Sequence, residues 1–203
     1  MKIIVGLGNP GAEYENTRHN AGYLFVDSLS NTSEFVAQGS SDFSNDKKFN
    51  ALVLERVLND EKFIFIKPLT YMNLSGHTVA KILNFYKITA DDLIVISDDI
   101  DLPLGSARIR NESSRGGQSG LQNIIDQLGH HNFTRVRLGI RPVEGVSPSA
   151  EHFDKIATSD FVLGKFENDE RDLLNKVIDA SIEYIVPFLS QNITILPHSI
   201  NLK

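Results

Sequence analysis

Residues 2–22 read KIIVGLGNPGAEYENTRHNAG. The run 2–7 is short, apolar and β-rich, and residues 21–29 carry apolar side chains at helical spacing, so the stretch predicts a strand leading through a turn into a helix. Two signals overlap in that turn. Gly6, Gly8 and Gly11 spell G-x-G-x-x-G, and Thr17, Arg18, His19 and Asn20 form a dense polar cluster just before the helix. A dinucleotide site needs the third glycine to open a helix facing the pyrophosphate, with an acidic residue about 20 positions on. Here Pro10 precedes Gly11, residues 12–17 are polar without helical period, and Asp27 falls inside the helix pattern. The glycines therefore read as a tight turn that uses their backbone freedom, and no cofactor is expected.

Further along, strand and helix patterns alternate. Residues 50–57 and 62–66 form a strand pair joined at Asn59-Asp60. Residues 73–86 are an amphipathic helix with Val79, Ile82, Leu83 and Tyr86 on one face, and 93–96 are a short, fully apolar strand. A strand at 106–110, a helix at 121–128 and a strand at 134–140 follow. The longest helix is 169–189, weakened near its end by Pro187. Residues 38–48, 111–120 and 142–158 read as loops. The alternation predicts one α/β domain over 1–203, a sandwich built on a twisted, mixed and largely parallel sheet flanked by helices.

With 41% hydrophobic residues the chain can bury a sizeable core, and it contains no cysteine, which excludes disulfides and thiolate metal sites. No run is long and apolar enough to span a membrane, and no secretory signal is visible, so a cytoplasmic protein is expected. The net charge is -6, yet the charge is uneven. Residues 105–141 hold six arginines (108, 110, 115, 135, 137 and 141) against Glu112 and Asp126, leaving 14 basic and 24 acidic residues elsewhere. A basic segment inside an acidic chain suits a phosphate-bearing ligand.

If the strands at 2–7, 63–66 and 93–96 are parallel, their carboxyl ends bring Asn9, Asn73, Asp98 and Asp101 to one rim, within reach of His19. That group suits acyl transfer to water. An imidazole can take a proton from water, a carboxylate such as Asp98 can hold its tautomer, and carboxamides can face a peptide or an oxyanion. Each residue has a plainer reading as well. An asparagine after a strand caps or turns, and a histidine before a helix is often structural. Asp98, Asp99 and Asp101 lack a further acidic pair for Mg²⁺, and His130-His131 lacks zinc-site spacing, so no metal is expected.

The stretches VGLGNPGAEYENTRHNAGYLFVD, KPLTYMNLSG, DDIDLPLG and DFVLGKF, in this order over nearly the whole chain, resemble bacterial peptidyl-tRNA hydrolase. The resemblance implies a monomeric, metal-free α/β esterase that cleaves the ester joining a peptide to the 3′ end of tRNA. It implies that His19 is the base and Asp98 its orienting carboxylate. Asn9 and Asn73 match the carboxamides that hold the peptide, Tyr14 the aromatic beside the tRNA 3′ end, and Asn20 and Met72 further substrate contacts. Arg110 and Arg137 match a clamp for the tRNA 5′-phosphate, and a mobile lid falls within 142–158. One loop departs from the family pattern. RGGQSG stands where the family has HGGHNG, so Arg115, Gln118 and Ser119 replace two histidines and a substrate-contacting asparagine. The departure leaves open a non-catalytic tRNA-binding relative on the same scaffold.

Overall fold

The computed structural model describes residues 1–37, 41–111, 119–147 and 150–202, with only the backbone considered at 151 and 152. Arg115 and Gln118 of the departing loop lie outside the described residues. Strand β1 (Lys2–Gly6) is central. It pairs in parallel with β5 (Glu61–Pro68) on one side and β6 (Leu93–Pro103) on the other, and β6 pairs in parallel with β8 (Thr134–Arg141). β1, β5 and the first half of β6 carry continuous apolar runs, at 3–5, 63–66 and 93–96, because both sheet faces are covered there. Ile4, Phe63, Phe65, Ile94 and Ile96 face α1 (Ala21–Ser30) and α5 (Asn168–Ser190). Ile3, Val5, Ile64, Ile66, Leu93 and Val95 face α2 (Ser75–Tyr86) and α3 (Ser119–Leu128).

Antiparallel strands flank this parallel centre. β4 (Ala51–Leu58) joins β5 through a two-residue turn in which Asn59 and Asp60 both have positive φ, at 50° and 61°. That is the turn chemistry expected of a tight hairpin. β2 (Val36–Ala37) and β3 (Ser44–Asp46) both pair with β4. At the other edge β7 (Ser106–Arg110) pairs with β8 and with β9 (His198–Asn201). Among the described residues the sheet order is β2-β4-β5-β1-β6-β8-β7-β9, nine strands with β3.

Several expectations are corrected. The strand expected at 93–96 continues to Pro103, because Ser97, Asp98 and Asp99 stay in ladder register with Arg137, Leu138 and Gly139. Polar residues end the apolar pattern there but not the pairing. The loop expected at 38–48 contains β3, whose pairing is set by β4. The loop expected at 142–158 contains a 3-10 helix, Ala150–Lys155, and leads into a short helix, α4 (Thr158–Leu163). The helix expected at 169–189 is α5, and as expected it runs on past Pro187, with Ile185, Val186 and Leu189 buried against the core. A proline in the last turn removes one backbone bond, and that apolar face offsets the loss.

A buried ion pair ties the distant ends of the chain together. A 3-10 turn, Arg18–Asn20, precedes α1. Arg18 Nη2 donates to Glu170 Oε2 at 2.6 Å, and both side chains are buried. The Arg18 guanidinium lies 4.4 Å over the Phe161 ring of α4, and its backbone N–H donates to the Gly164 carbonyl at 2.9 Å. Glu170 also closes the capping box that starts α5 by accepting from the Glu167 N–H at 3.0 Å. Removing one partner leaves a buried charge uncompensated. Glu170→Ala is therefore expected to destabilise the fold by about 3–5 kcal/mol, read as a lower urea midpoint at unchanged m-value. A loss under about 1 kcal/mol would show that the pair does not anchor this corner.

Candidate active site

Gly6 earns its place by close packing. A Cβ there would lie 2.4 Å from the Gly22 carbonyl oxygen, and one on Gly22 would lie 2.5 Å from Leu7 N and the Ile96 carbonyl. Two glycines thus let the start of α1 touch the ends of β1 and β6. Gly11, at φ 117°, turns the chain where other residues would be strained. The result carries the 3-10 turn with His19 over the carboxyl ends of the parallel strands.

There His19 Nδ1 lies 2.9 Å from Asp98 Oδ2. Asp98 is nearly fully buried on β6, and the His19 side chain is 14% exposed. Burial disfavours the imidazolium, but the Asp98 charge and hydrogen bond outweigh it, so the His19 pKa is raised above 6.5. With Nδ1–H committed to the carboxylate, Nε2 keeps its lone pair.

The pair borders a cavity of about 490 Å³. Asn9, Tyr14, Met72, Asn73, Ser119 and Arg137 line it as well, so eight of the ten residues singled out in the sequence meet in one place. Asn9 is fixed from three sides. Its side-chain oxygen accepts from the Met72 N–H at 3.0 Å, its N–H donates to Asn20 Oδ1 at 2.8 Å, and its carbonyl accepts from Asn20 Nδ2 at 3.0 Å. The Met72 bond assigns the carboxamide, leaving Asn9 Nδ2 as a donor.

Asn20, expected to touch substrate, does not line this cavity. It is buried, and both ends of its carboxamide are used on the Asn9 backbone, which makes it a holder of Asn9. Arg110 also lies away from the cavity, on β7, and its partners are the carbonyls of Ile109 and His198 and the Ser199 hydroxyl. Arg137 is at the cavity, with Nη1 2.9 Å from Asp99 Oδ2. Burial pushes the Asp99 carboxyl above its ordinary value, while the Asp101 N–H and Arg137 pull the other way.

Sequence reasoning missed much of the wall. Tyr71, Ile100, Leu121, Val162 and Leu163 give it an apolar lining, and Thr158 and Ser159 bring in the start of α4. Tyr71 and Leu163 are exposed large hydrophobic residues, a signal that burial alone reveals. Among the described residues no group of three His, Asp or Glu side chains is placed to hold a metal ion.

The register of β7 on β8 sets Arg110 beside Arg135 and Arg108 beside Arg137. Directly opposed residues and those two apart share a sheet face, so four arginines stand on one side. Arg135 is closed off there, donating to the His131 carbonyl at 2.7 Å under the Phe133 ring. Arg108 is exposed.

The family model described as peptidyl-tRNA hydrolase matches residues 3–202. A relative from Chlorobium phaeovibrioides, named peptidyl-tRNA hydrolase, is 41% identical over 201 residues, covering 99% of this chain and 96% of its own. One from Desulforamulus reducens with the same name is 44% identical over 186 residues, 91% of this chain and 81% of its own. The crystal structure of peptidyl-tRNA hydrolase from Acinetobacter baumannii superposes with a TM-score of 0.78 at 32% identity, covering 95% of this chain and 89% of that one. The chain belongs to the peptidyl-tRNA hydrolase family.

Proposed function

We infer that this chain hydrolyses the ester between peptide and tRNA in peptidyl-tRNA, the activity of its family, through water activated by His19. The observation that carries the mechanism is the 2.9 Å His19–Asp98 pair lining one cavity with Asn9, whose carboxamide is fixed by Met72. His19 Nε2 takes a proton from water as the water oxygen bonds to the ester carbon. Asp98 holds Nδ1–H and stabilises the imidazolium that forms. Asn9 Nδ2, with Asn73 also lining the cavity, donates to the oxyanion or the peptide backbone. The imidazolium then returns its proton to the departing 3′ oxygen as the ester C–O bond breaks, leaving free tRNA and a peptide carboxylic acid that ionises in water.

Tyr14 and Met72 border the path of the tRNA 3′ end and its aminoacyl group, and Ser119 lies beside the scissile bond. Arg110 and Arg137 clamp the 5′-phosphate of the acceptor stem, a contact that reads no base sequence. The arginines that β7 and β8 share on one face, of which Arg108 is exposed, support this reading. The lid falls within 142–158, and Phe153 of that segment packs edge-on against Phe161 of α4 at 4.9 Å. The family likeness supports action as a monomer, in the cytoplasm and without metal. Among the described residues no helix is long and apolar enough to cross a membrane. The decisive experiment gives the purified protein an N-acylated aminoacyl-tRNA in the presence of a chelator. Release of tRNA is expected, and no release would overturn the reading.

His19→Ala should lower turnover roughly 10²–10⁴-fold, while product tRNA still binds. Activity needs neutral His19, so kcat/KM should rise with pH through an inflection above 6.5. Asp98→Asn removes the negative charge that raises this pKa and leaves burial, so the inflection should move to lower pH as turnover falls. An unmoved inflection would remove Asp98 from that role.

Replacing Arg110 or Arg137 by Ala should weaken binding to different tRNAs alike and reduce the slope of log K against log salt by about 1 each. Unchanged slopes in both variants would place these arginines outside the phosphate contact.

Ser119 is exposed at the first residue of α3 and borders the cavity. Its hydroxyl is shorter than the family's carboxamide and lacks the paired donor and acceptor. Ser119→Asn, alone or with Gln118→His, is expected to raise kcat/KM up to roughly tenfold, about 1.4 kcal/mol in the transition state. If neither variant exceeds the parent on peptidyl-tRNA, the residue at 119 does not limit the reaction.

A further inference from the structure

The last strand, β9, lies on the outer edge of β7, with Ile109 opposite His198 and Ser106 opposite Asn201. It is fastened three ways. Ile200 is buried in the core, the Leu202 N–H donates to the Gly105 carbonyl at 2.7 Å, and the His198 ring stacks on Tyr184 of α5 at 4.0 Å and 11°. Tyr184 in turn donates its hydroxyl to the Leu196 carbonyl at 3.3 Å. The strand therefore holds a defined place relative to β7, and it meets one functional side chain. Arg110 Nη1 donates to the His198 carbonyl at 2.7 Å, and Arg110 Nη2 donates to Ser199 Oγ at 3.1 Å.

We propose that β9 is the positioning element of the phosphate clamp, with Ser199 and the His198 carbonyl holding the Arg110 guanidinium in place for the tRNA 5′-phosphate. The inference rests on the clamp reading above. Among the described residues the partners on Arg110 are neutral acceptors: two carbonyls and a hydroxyl. They orient the planar cation without cancelling its charge, and an arginine fork has five N–H donors, so others remain for phosphate. A long side chain fixed in advance loses less freedom when the ligand arrives. Ser199 itself is exposed, which suits a residue that can be exchanged without opening the core. A carboxylate at the same position would instead pair with Arg110 and compete with the phosphate.

The test compares kcat/KM for peptidyl-tRNA carrying a 5′-phosphate with kcat/KM for the same substrate carrying a 5′-hydroxyl, using the full chain. Arg110→Ala should abolish the preference for the phosphorylated substrate. Ser199→Ala should reduce that preference roughly two- to fivefold, the scale of one exposed hydrogen bond, with the change in KM. Ser199→Thr keeps the hydroxyl and should restore it. Ser199→Asp should lose it as fully as Arg110→Ala, with a thermal transition matching the parent. If Arg110→Ala keeps the preference, the clamp reading falls and this inference with it. If Arg110→Ala loses the preference while Ser199→Ala or Ser199→Asp keeps it, the clamp stands and the positioning role of β9 is overturned. Failure of Ser199→Thr to rescue overturns it too, since the loss would then be structural.

Discussion

Everything at the active site depends on how closely one helix can approach one strand. Gly22 sits where a methyl group would collide with backbone atoms of Leu7 and Ile96, and Gly6 sits under the Gly22 carbonyl. Backbone cannot give way as a flexible side chain can, so a larger residue at either position would lift α1 from the sheet. The 3-10 turn Arg18–Asn20 leads directly into that helix. Lifting the helix would separate His19 from Asp98, which is anchored on β6 by its ladder with β8. A hydrogen bond of 2.9 Å tolerates little displacement before it weakens. The glycines that look like a phosphate-binding turn thus serve the chemistry indirectly, by permitting contact between a helix start and two strand ends.

The parts legible in the sequence were those set by local pattern. β1, the hairpin at Asn59-Asp60 and the amphipathic face of α2 follow from periodicity and turn chemistry, and the convergence of Asn9, Asn73 and Asp98 follows once β1, β5 and β6 are parallel. What stayed hidden depends on partners far along the chain. β9 is a strand because β7 has a free edge for it, and β3 because β4 does. Asn20 looks like its neighbour His19 in sequence, yet its side chain turns back to the Asn9 backbone. Arg18 reads as part of a dense polar cluster, and its burial rests on Glu170, 152 residues away. Composition cannot show such pairings, because a charge is buried only where its partner is delivered.

The carboxylates of β6 show how position divides labour among similar residues. Asp98 serves the imidazole, Asp99 faces Arg137, and Asp101 is exposed at the cavity. A magnesium reading of this cluster would need the three to turn toward a common point, whereas Asp98 and Asp99 are each directed to a different cation or incipient cation. Asp98 sets the sign of the His19 shift, and Asp99 pairs with Arg137.

An acidic chain that handles RNA needs its positive charge where the phosphates lie, since exposed charges more than about 10 Å apart are largely screened at ordinary salt. The sheet supplies that concentration. Alternation along β7 and β8 sends Ile109, Val136 and Leu138 into the core beneath α5 and sends Arg108, Arg110, Arg135 and Arg137 to the other face. The same two-residue period that builds the core therefore builds the basic face, and neither can be shifted by one residue without exchanging them. Fixing that register is a task for edge pairing as much as for packing. β9 closes the outer edge of β7 while β8 closes the inner one, so the strand that carries Arg110 is held on both sides.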